Sequence, residues 1–240
     1  MIWEGLREYL LRVLRAVSEV PLCTRCLGRC LAGLGTALDN KRRGECFLTL
    51  LAMSADQLLS TSSADKALVE LLVKVAVNTG YEPLIEVLRK HDIDVQDVKK
   101  QCYICGSNLD EVISSYVDKV VEALKDYEVD TFLIGVSVPM DIVAREEELV
   151  RRYKLGFYES LKREVKREVG KAVAAITKLT PEFRTPDVLA LIDLGMGVVE
   201  VIPSSLFIQG LYWKLGRRIS QAVWLYDEGT ERRVYASIEE

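Results

Sequence analysis

Two Cys-x-x-Cys pairs stand far apart in this chain. Cys23 and Cys26 lie in Pro21-Leu-Cys-Thr-Arg-Cys-Leu-Gly-Arg29, and Cys102 and Cys105 lie in Gln101-Cys-Tyr-Ile-Cys-Gly106. Two residues between the thiols let the backbone turn until both sulfurs aim at one centre. Two such pairs complete a tetrahedral shell of four thiolates, so the expected chemistry is one structural zinc ion with no open position. Gly28 and Gly106 suit a tight turn after the second sulfur of each pair. A disulfide and a redox pair are the alternatives. A redox Cys-x-x-Cys normally comes once, at a helix start after a strand, and neither pair clearly follows one. Cys30 and Cys46 fall in helical patterns and read as small buried apolar residues. His91, the single histidine, follows Arg89-Lys90 and reads as a surface or helix-end residue, not a ligand.

Residues 27–101 separate the pairs, a longer gap than the roughly 15–20 residues of a single zinc module. One shared ion therefore makes the gap an inserted subdomain. Closing a long loop costs only a slow logarithmic term, and a structural zinc contributes on the order of 10 kcal/mol or more.

The elements around the pairs are helical. Leu6, Leu10, Leu11, Leu14 and Val17 recur at helical spacing over 3–18. Leu27–Leu38 reads as a small-residue helix. Asn40 then caps a helix from Lys41 to about Leu59. A break at residues 60–63 precedes a helix over Ala64–Asn78, stopped by Gly80, and Pro83 opens another through Arg89. Asn108 caps a helix over Asn108–Asp126. The pattern then changes to a strand over Thr131–Val138, helices at about Ile142–Tyr153 and Phe157–Thr177, and strands over Val188–Leu194, Gly197–Ile202 and Leu206–Leu215. Trp224–Tyr226 and Arg232–Tyr235 read as a terminal hairpin. The fold class is α+β, with a helical domain over 1–109 that binds zinc through the four cysteines, and an α/β layer over 110–240.

The 240 residues are 49% hydrophobic and 28% charged, with a net charge of −4 and a pI of about 5.4. That is a globular composition, with no run near the roughly 20 apolar residues of a membrane span. Met1-Ile2-Trp3-Glu4-Gly5 has no basic stretch of a secretory signal, so free thiols in the reducing cytoplasm are expected. A generic nucleic-acid binder would be basic; RNA contact must come from local patches. Between Val201 and Tyr226 no acid occurs, while Lys214, Arg217 and Arg218 stand beside Tyr212 and Trp213. Cations for phosphates and aromatic faces for bases make this one candidate patch; a solvated strand end over core aromatics is its bland reading. Lys162, Arg163 and Lys166 form a second candidate stripe, or else a solvated face paired with Glu159, Glu164 and Glu168. Lys41, Arg42 and Arg43 oppose the dipole of the helix they open, which a phosphate partner would explain. No catalytic constellation appears. Glu146-Glu147-Glu148 reads as a solvated acidic run, and no glycine-rich phosphate loop is present.

Several motifs together carry a resemblance. Cys23-Thr-Arg-Cys-Leu-Gly-Arg29, Leu34-Gly-Thr-Ala-Leu-Asp-Asn40 with Arg43-Gly44, and Cys102-Tyr-Ile-Cys-Gly106 are followed by Asp130-Thr-Phe-Leu-Ile-Gly135 and Arg145-Glu-Glu-Glu-Leu149. Lys166-Arg-Glu, Gly170-Lys171, Pro186-Asp-Val188 and Ser205-Leu-Phe-Ile-Gln-Gly210 complete the series. In this order they resemble the amino-terminal half of the archaeal tRNA pseudouridine synthases that modify the T-arm. The resemblance implies a zinc module followed by a THUMP domain, a tRNA-binding fold. It also implies a large catalytic domain bearing a nucleophilic Asp, to which no aspartate here corresponds. The expectation is a tRNA-binding protein accessory to pseudouridylation and not an enzyme on its own. The alternatives are a subunit or fragment of the synthase, active only with a catalytic chain, and a structural module that binds no RNA.

Overall fold

The computed structural model describes residues 2–61, 65–95, 101–205, 210, 225–226 and 233–234. Six helices come first: α1 (Ile2–Glu19), α2 (Thr24–Arg29), α3 (Asn40–Ser60), α4 (Lys66–Thr79), α5 (Glu82–Lys90) and α6 (Leu109–Leu124). Then follow β1 (Thr131–Ser137), α7 (Met140–Tyr153), α8 (Leu161–Thr177), β2 (Thr180–Pro181), β3 (Val188–Asp193) and β4 (Val198–Pro203). This is an α+β architecture, and residues 1–204 form one compact unit.

Helix ends follow side-chain chemistry. Asp39, Asp65 and Ser160 each accept a first-turn amide, of Arg42, Leu68 and Arg163 respectively. Gly80 ends α4 in the left-handed region at φ 62°. Asp39 thus caps α3 in place of the expected Asn40, which is buried inside the first turn. Asn108 stands at the start of α6, but its side chain makes no capping bond.

The stretch Leu27–Leu38 is not one helix, and this corrects the periodicity reading. α2 stops at Arg29, and turns carry the chain to Asp39. Gly35 takes φ +63°, and the Arg43 guanidinium donates to the carbonyls of Leu34 and Gly35 at 2.7 and 3.0 Å. Those carbonyls are satisfied without helical partners. Gly28 is likewise no turn residue. It sits in α2 where a Cβ would come 1.7 Å from the Asn40 carbonyl oxygen. Gly44 does the same from α3, where a Cβ would meet the Thr24 oxygen at 1.9 Å. The missing side chains let the two helices touch backbone to backbone.

Two buried clusters hold the unit. One gathers α1–α5 around Val13, Leu22, Leu27, Leu48, Leu72 and Leu88, and takes in Leu149 and Tyr153 from α7. The other lies between α6, α8 and the sheet. The sheet runs β2-β1-β3-β4, with β1 parallel to β2 and β3, and β4 antiparallel to β3. Phe132, Ile134 and Val136 of β1 alternate with less buried neighbours, as do Val188, Ala190 and Ile192 of β3. This period of two aims one face at the helices. Asp187 joins the strand starts: its Oδ2 accepts from the Asp130 and Thr131 amides and the Thr131 hydroxyl.

Residues 205–240 form a second unit, of which β5 (Leu225–Tyr226) and β6 (Arg233–Val234) pair antiparallel, Leu225 opposite Val234. The expected strand over Leu206–Leu215 lies outside the described residues. No helix among those described is long and apolar enough to cross a membrane.

Candidate functional site

Cys23 is the N-cap of α2, its sulfur accepting from the Cys26 amide at 3.5 Å, which leaves both thiols on one side of the first turn. Cys102 and Cys105 sit on a second turn, closed by the Gly106 amide donating to the Cys102 carbonyl, with Gly106 at φ +68°. The turns are joined by the Tyr103 amide, which donates to the Pro21 carbonyl at 2.8 Å. The four sulfurs consequently all lie within 4.8 Å of one another. Sulfur–sulfur distances are 3.3 Å for Cys26–Cys105 and 3.6 Å for Cys23–Cys105. A tetrahedral ion with metal–sulfur bonds of about 2.3 Å sets these distances at about 3.8 Å. The donor set fits a metal, and no two sulfurs are at bonding distance: all six cysteines are free thiols. The neighbouring thiols of Cys105, Cys23 and Cys26 pull the Cys102 thiol down. Donation to Cys102 is also the first cause that holds the other three thiols high. A bound cation would take the place of those shared protons.

Beyond the ligands lies a buried ionic network. Arg29, with no exposed surface, donates from Nη2 to the Cys26 sulfur at 3.0 Å and from Nη1 to Glu146 at 2.7 Å. Its Nε faces Glu164 Oε2 at 3.4 Å, and neither atom has a hydrogen-bond partner among the described residues. Arg25 bridges Glu164 at 2.9 Å and Asp110 at 2.6 Å. Burial is the main force on Glu164 and raises its pKa, against the pull of Arg29 and Arg25. Glu146 also accepts from the Tyr158 hydroxyl and the Leu161 amide. The acidic run on α7 is therefore a solvated face only at Glu147 and Glu148. Glu146 turns inward, and Glu148 accepts the Tyr103 hydroxyl at 3.0 Å, over the second cysteine turn. Consecutive helical positions point to different sides, so Glu146 is buried while Glu147 and Glu148 stay exposed.

The cationic candidates divide. Arg43 is buried and spent on Leu34, Gly35 and Asn40. Lys41 pairs with Asp110 at 3.2 Å, and Arg42 is exposed near Asp39. Lys162 and Arg163 are exposed on α8; Lys166 is half-buried, 5.9 Å from the Phe183 ring centre. Glu159 accepts from Asn40 and Arg167, and Glu164 belongs to the buried network, so neither belongs to a solvated face. Tyr212, Lys214, Arg217 and Arg218 lie outside the described residues. Cys30 is buried as expected, but Cys46 is exposed on α3. His91 ends α5 and meets Asp56 at 2.9 Å.

Residues 116–193, from within α6 to the end of β3, match the family profile described as the Pus10 THUMP domain, archaeal. The tRNA pseudouridine synthase Pus10 of Aeropyrum pernix is 34% identical over 227 residues, 95% of this chain and 51% of that protein. Its counterpart in Thermofilum pendens is 37% identical over 207 residues, 85% of this chain and 44% of that protein. That of Ignisphaera aggregans is 31% identical over 212 residues, 88% of this chain and 48% of that protein. The chain spans about half the length of the curated relatives it matches. No solved structure matches it.

Proposed function

The chain belongs to the archaeal Pus10 family, matching its amino-terminal half, and we propose that it binds tRNA and presents it for pseudouridylation. The observation that carries this reading is the THUMP match over residues 116–193. In this reading residues 1–109 are a scaffold module and residues 110–240 are the RNA-binding part. One zinc ion held by Cys23, Cys26, Cys102 and Cys105 is structural, since four thiolates leave no position for substrate. The protein works in the reducing cytoplasm, where such thiols stay free. Isomerising a uridine in RNA needs a pocket for an extruded base. That chemistry is assigned to a catalytic domain, on this chain or on a partner, and the half described here positions the tRNA.

Mobility shifts with tRNA at low salt test the reading: the zinc-loaded protein retards tRNA, and failure to do so sinks it. The length of the relatives favours a second reading, in which this half works as an enzyme subunit. Mixing the chain with the carboxy-terminal half of a relative should then raise pseudouridine formation above that of the latter alone.

A further inference from the structure

Between the loop at residues 32–39 and α8 lies a cleft of about 730 Å³. We propose that this cleft takes one base and the flanking phosphates of an unpaired RNA segment. The inference rests on the RNA-binding reading above and adds to it the place of contact and the form of the strand.

The aromatic element is Phe157. Phe157 is 43% exposed and lines the cleft, yet its position is held from several sides. The ring packs edge-on to Tyr9 with centroids 4.7 Å apart. Gly33 lies so close that a Cβ there would come 2.5 Å from the ring. The Phe157 amide donates to the Tyr9 hydroxyl, and the Phe157 carbonyl accepts from the Gly33 amide, both at 3.2 Å. A large ring fixed by its backbone and one side, and left open on the other, is a preorganised stacking surface. Base–aromatic stacking is worth about 1–3 kcal/mol and tolerates any base.

The charges around it sort into spent and unspent. Of the acids lining the cleft, Asp39 caps α3, Glu159 accepts from Asn40 and Arg167, and Glu168 accepts from Arg167. Arg43 and Arg167 are consumed by those internal bonds. The Arg163 guanidinium and the Lys171 ammonium remain. Neither has a hydrogen-bond or ion-pair partner among the described residues, and both are exposed. They stand eight residues apart on α8, about 12 Å along its axis, with the cleft beside them. Two unpaired cations lining one cleft with an open aromatic ring match a strand whose phosphates flank a stacked base. Double-stranded RNA is met instead across successive grooves over roughly 16 base pairs, an extended surface that a single cleft does not offer.

The test measures three RNAs against the full metal-loaded chain: folded tRNA, a labelled single-stranded oligonucleotide of about ten residues, and a hairpin duplex. The surface pair Arg163→Glu with Lys171→Glu should weaken oligonucleotide and tRNA binding by about tenfold or more, without changing the melting temperature. Phe157→Leu keeps an apolar group against Tyr9 and Gly33 but removes the ring. It should weaken oligonucleotide binding by at least about fivefold and leave duplex binding unchanged. Should Phe157→Leu fail to fold, the surface pair alone decides. Full tRNA and oligonucleotide affinity in the charge-reversed protein overturns the cleft and leaves the tRNA-binding reading standing. Absence of tRNA binding by the unaltered protein overturns that reading itself. Competition by adenosine monophosphate as strong as by the oligonucleotide overturns the RNA strand in favour of a free nucleotide.

Discussion

Arg29 shows how one side chain ties the four-cysteine cluster to the rest of the protein. It donates to the Cys26 sulfur and faces Glu146 and Glu164 at once, with no water-exposed surface. Donors to a ligating sulfur hold the ligand's orientation. Removing one partner of a buried ion network leaves uncompensated charge, typically at about 3–5 kcal/mol. Arg29→Ala should lose stability of that order in urea unfolding, and should release metal faster to a chelator. The cysteines make a pH prediction. Metal binding displaces thiol protons, so affinity falls as pH falls. Chelator competition at pH 8, 7 and 6 should show metal leaving progressively more easily. Tyr9 makes an alkaline one. Burial raises its pKa to about 12, and the same cause raises Tyr153 and Cys30 to about 12. A group raised in the folded state stabilises below its unfolded pKa, near 10 for tyrosine. That stability disappears as pH rises through the folded value. Unfolding free energy should therefore fall between pH 10 and 12. Tyr9→Phe should flatten part of that slope, at a cost of about 1 kcal/mol at neutral pH for the lost hydrogen bonds to Cys30 and Phe157.

At the scale of elements, the α2–α3 contact is the tightest joint around the site. Gly28→Ala would drive a methyl into the Asn40 carbonyl, and Gly44→Ala into that of Thr24. Backbone cannot give way as a side-chain tip can. Each change should cost more than about 3 kcal/mol and reduce metal content, because α2 carries Cys26 and is capped by Cys23. Gly156→Ala, where nothing lies within 4 Å, is the control and should leave thermal unfolding and metal content near those of the parent. The pairing of β1 with β3 relies on Asp187. Its acceptance of the Thr131 hydroxyl and the Thr131 and Asp130 amides holds this carboxyl below its usual range. A depressed carboxylate stabilises above its unfolded pKa and stops doing so as pH falls through the folded value. The Asp187→Asn protein should accordingly lose less stability than its parent on acidification below about pH 4.

Over the whole molecule, the network joins α8 to the cysteine turns. Glu164 on α8 meets Arg25 and Arg29, and Glu159 just before it meets Asn40. Stripping the metal should therefore raise amide hydrogen exchange in α8 as well as in α2, and lower the melting temperature by more than about 10 °C. Exchange rising only around the cysteines would show that the network does not transmit the loss. The four cysteines were legible because each pair is a local pattern, and two local patterns of the same type suggest one centre. The strand–helix–helix–strand order was legible for the same reason, through apolar periods of two and 3.6. Arg25, Arg29, Glu146 and Glu164 were not. Arg and Glu default to solvent, and nothing in their spacing says which of many charges will be buried together. The motif Cys23-Thr-Arg-Cys-Leu-Gly-Arg29 did contain the signal: two arginines four apart straddling a sulfur ligand.

By itself, then, the sequence determined the helical and sheet-forming halves, the set of four clustered thiols and the family. The first two are written in short-range periodicity or fixed spacing and the family in an ordered series of motifs, all of which survive without knowledge of the fold. The tertiary structure decided which charges are buried, that Glu146 of the acidic run joins them, and which cations stay unpaired among the described residues. Those outcomes depend on residues more than a hundred positions apart, such as Arg25 and Glu164 or Arg29 and Glu146. A charge is free only when nothing across the fold has neutralised it, and sequence distance carries no record of that.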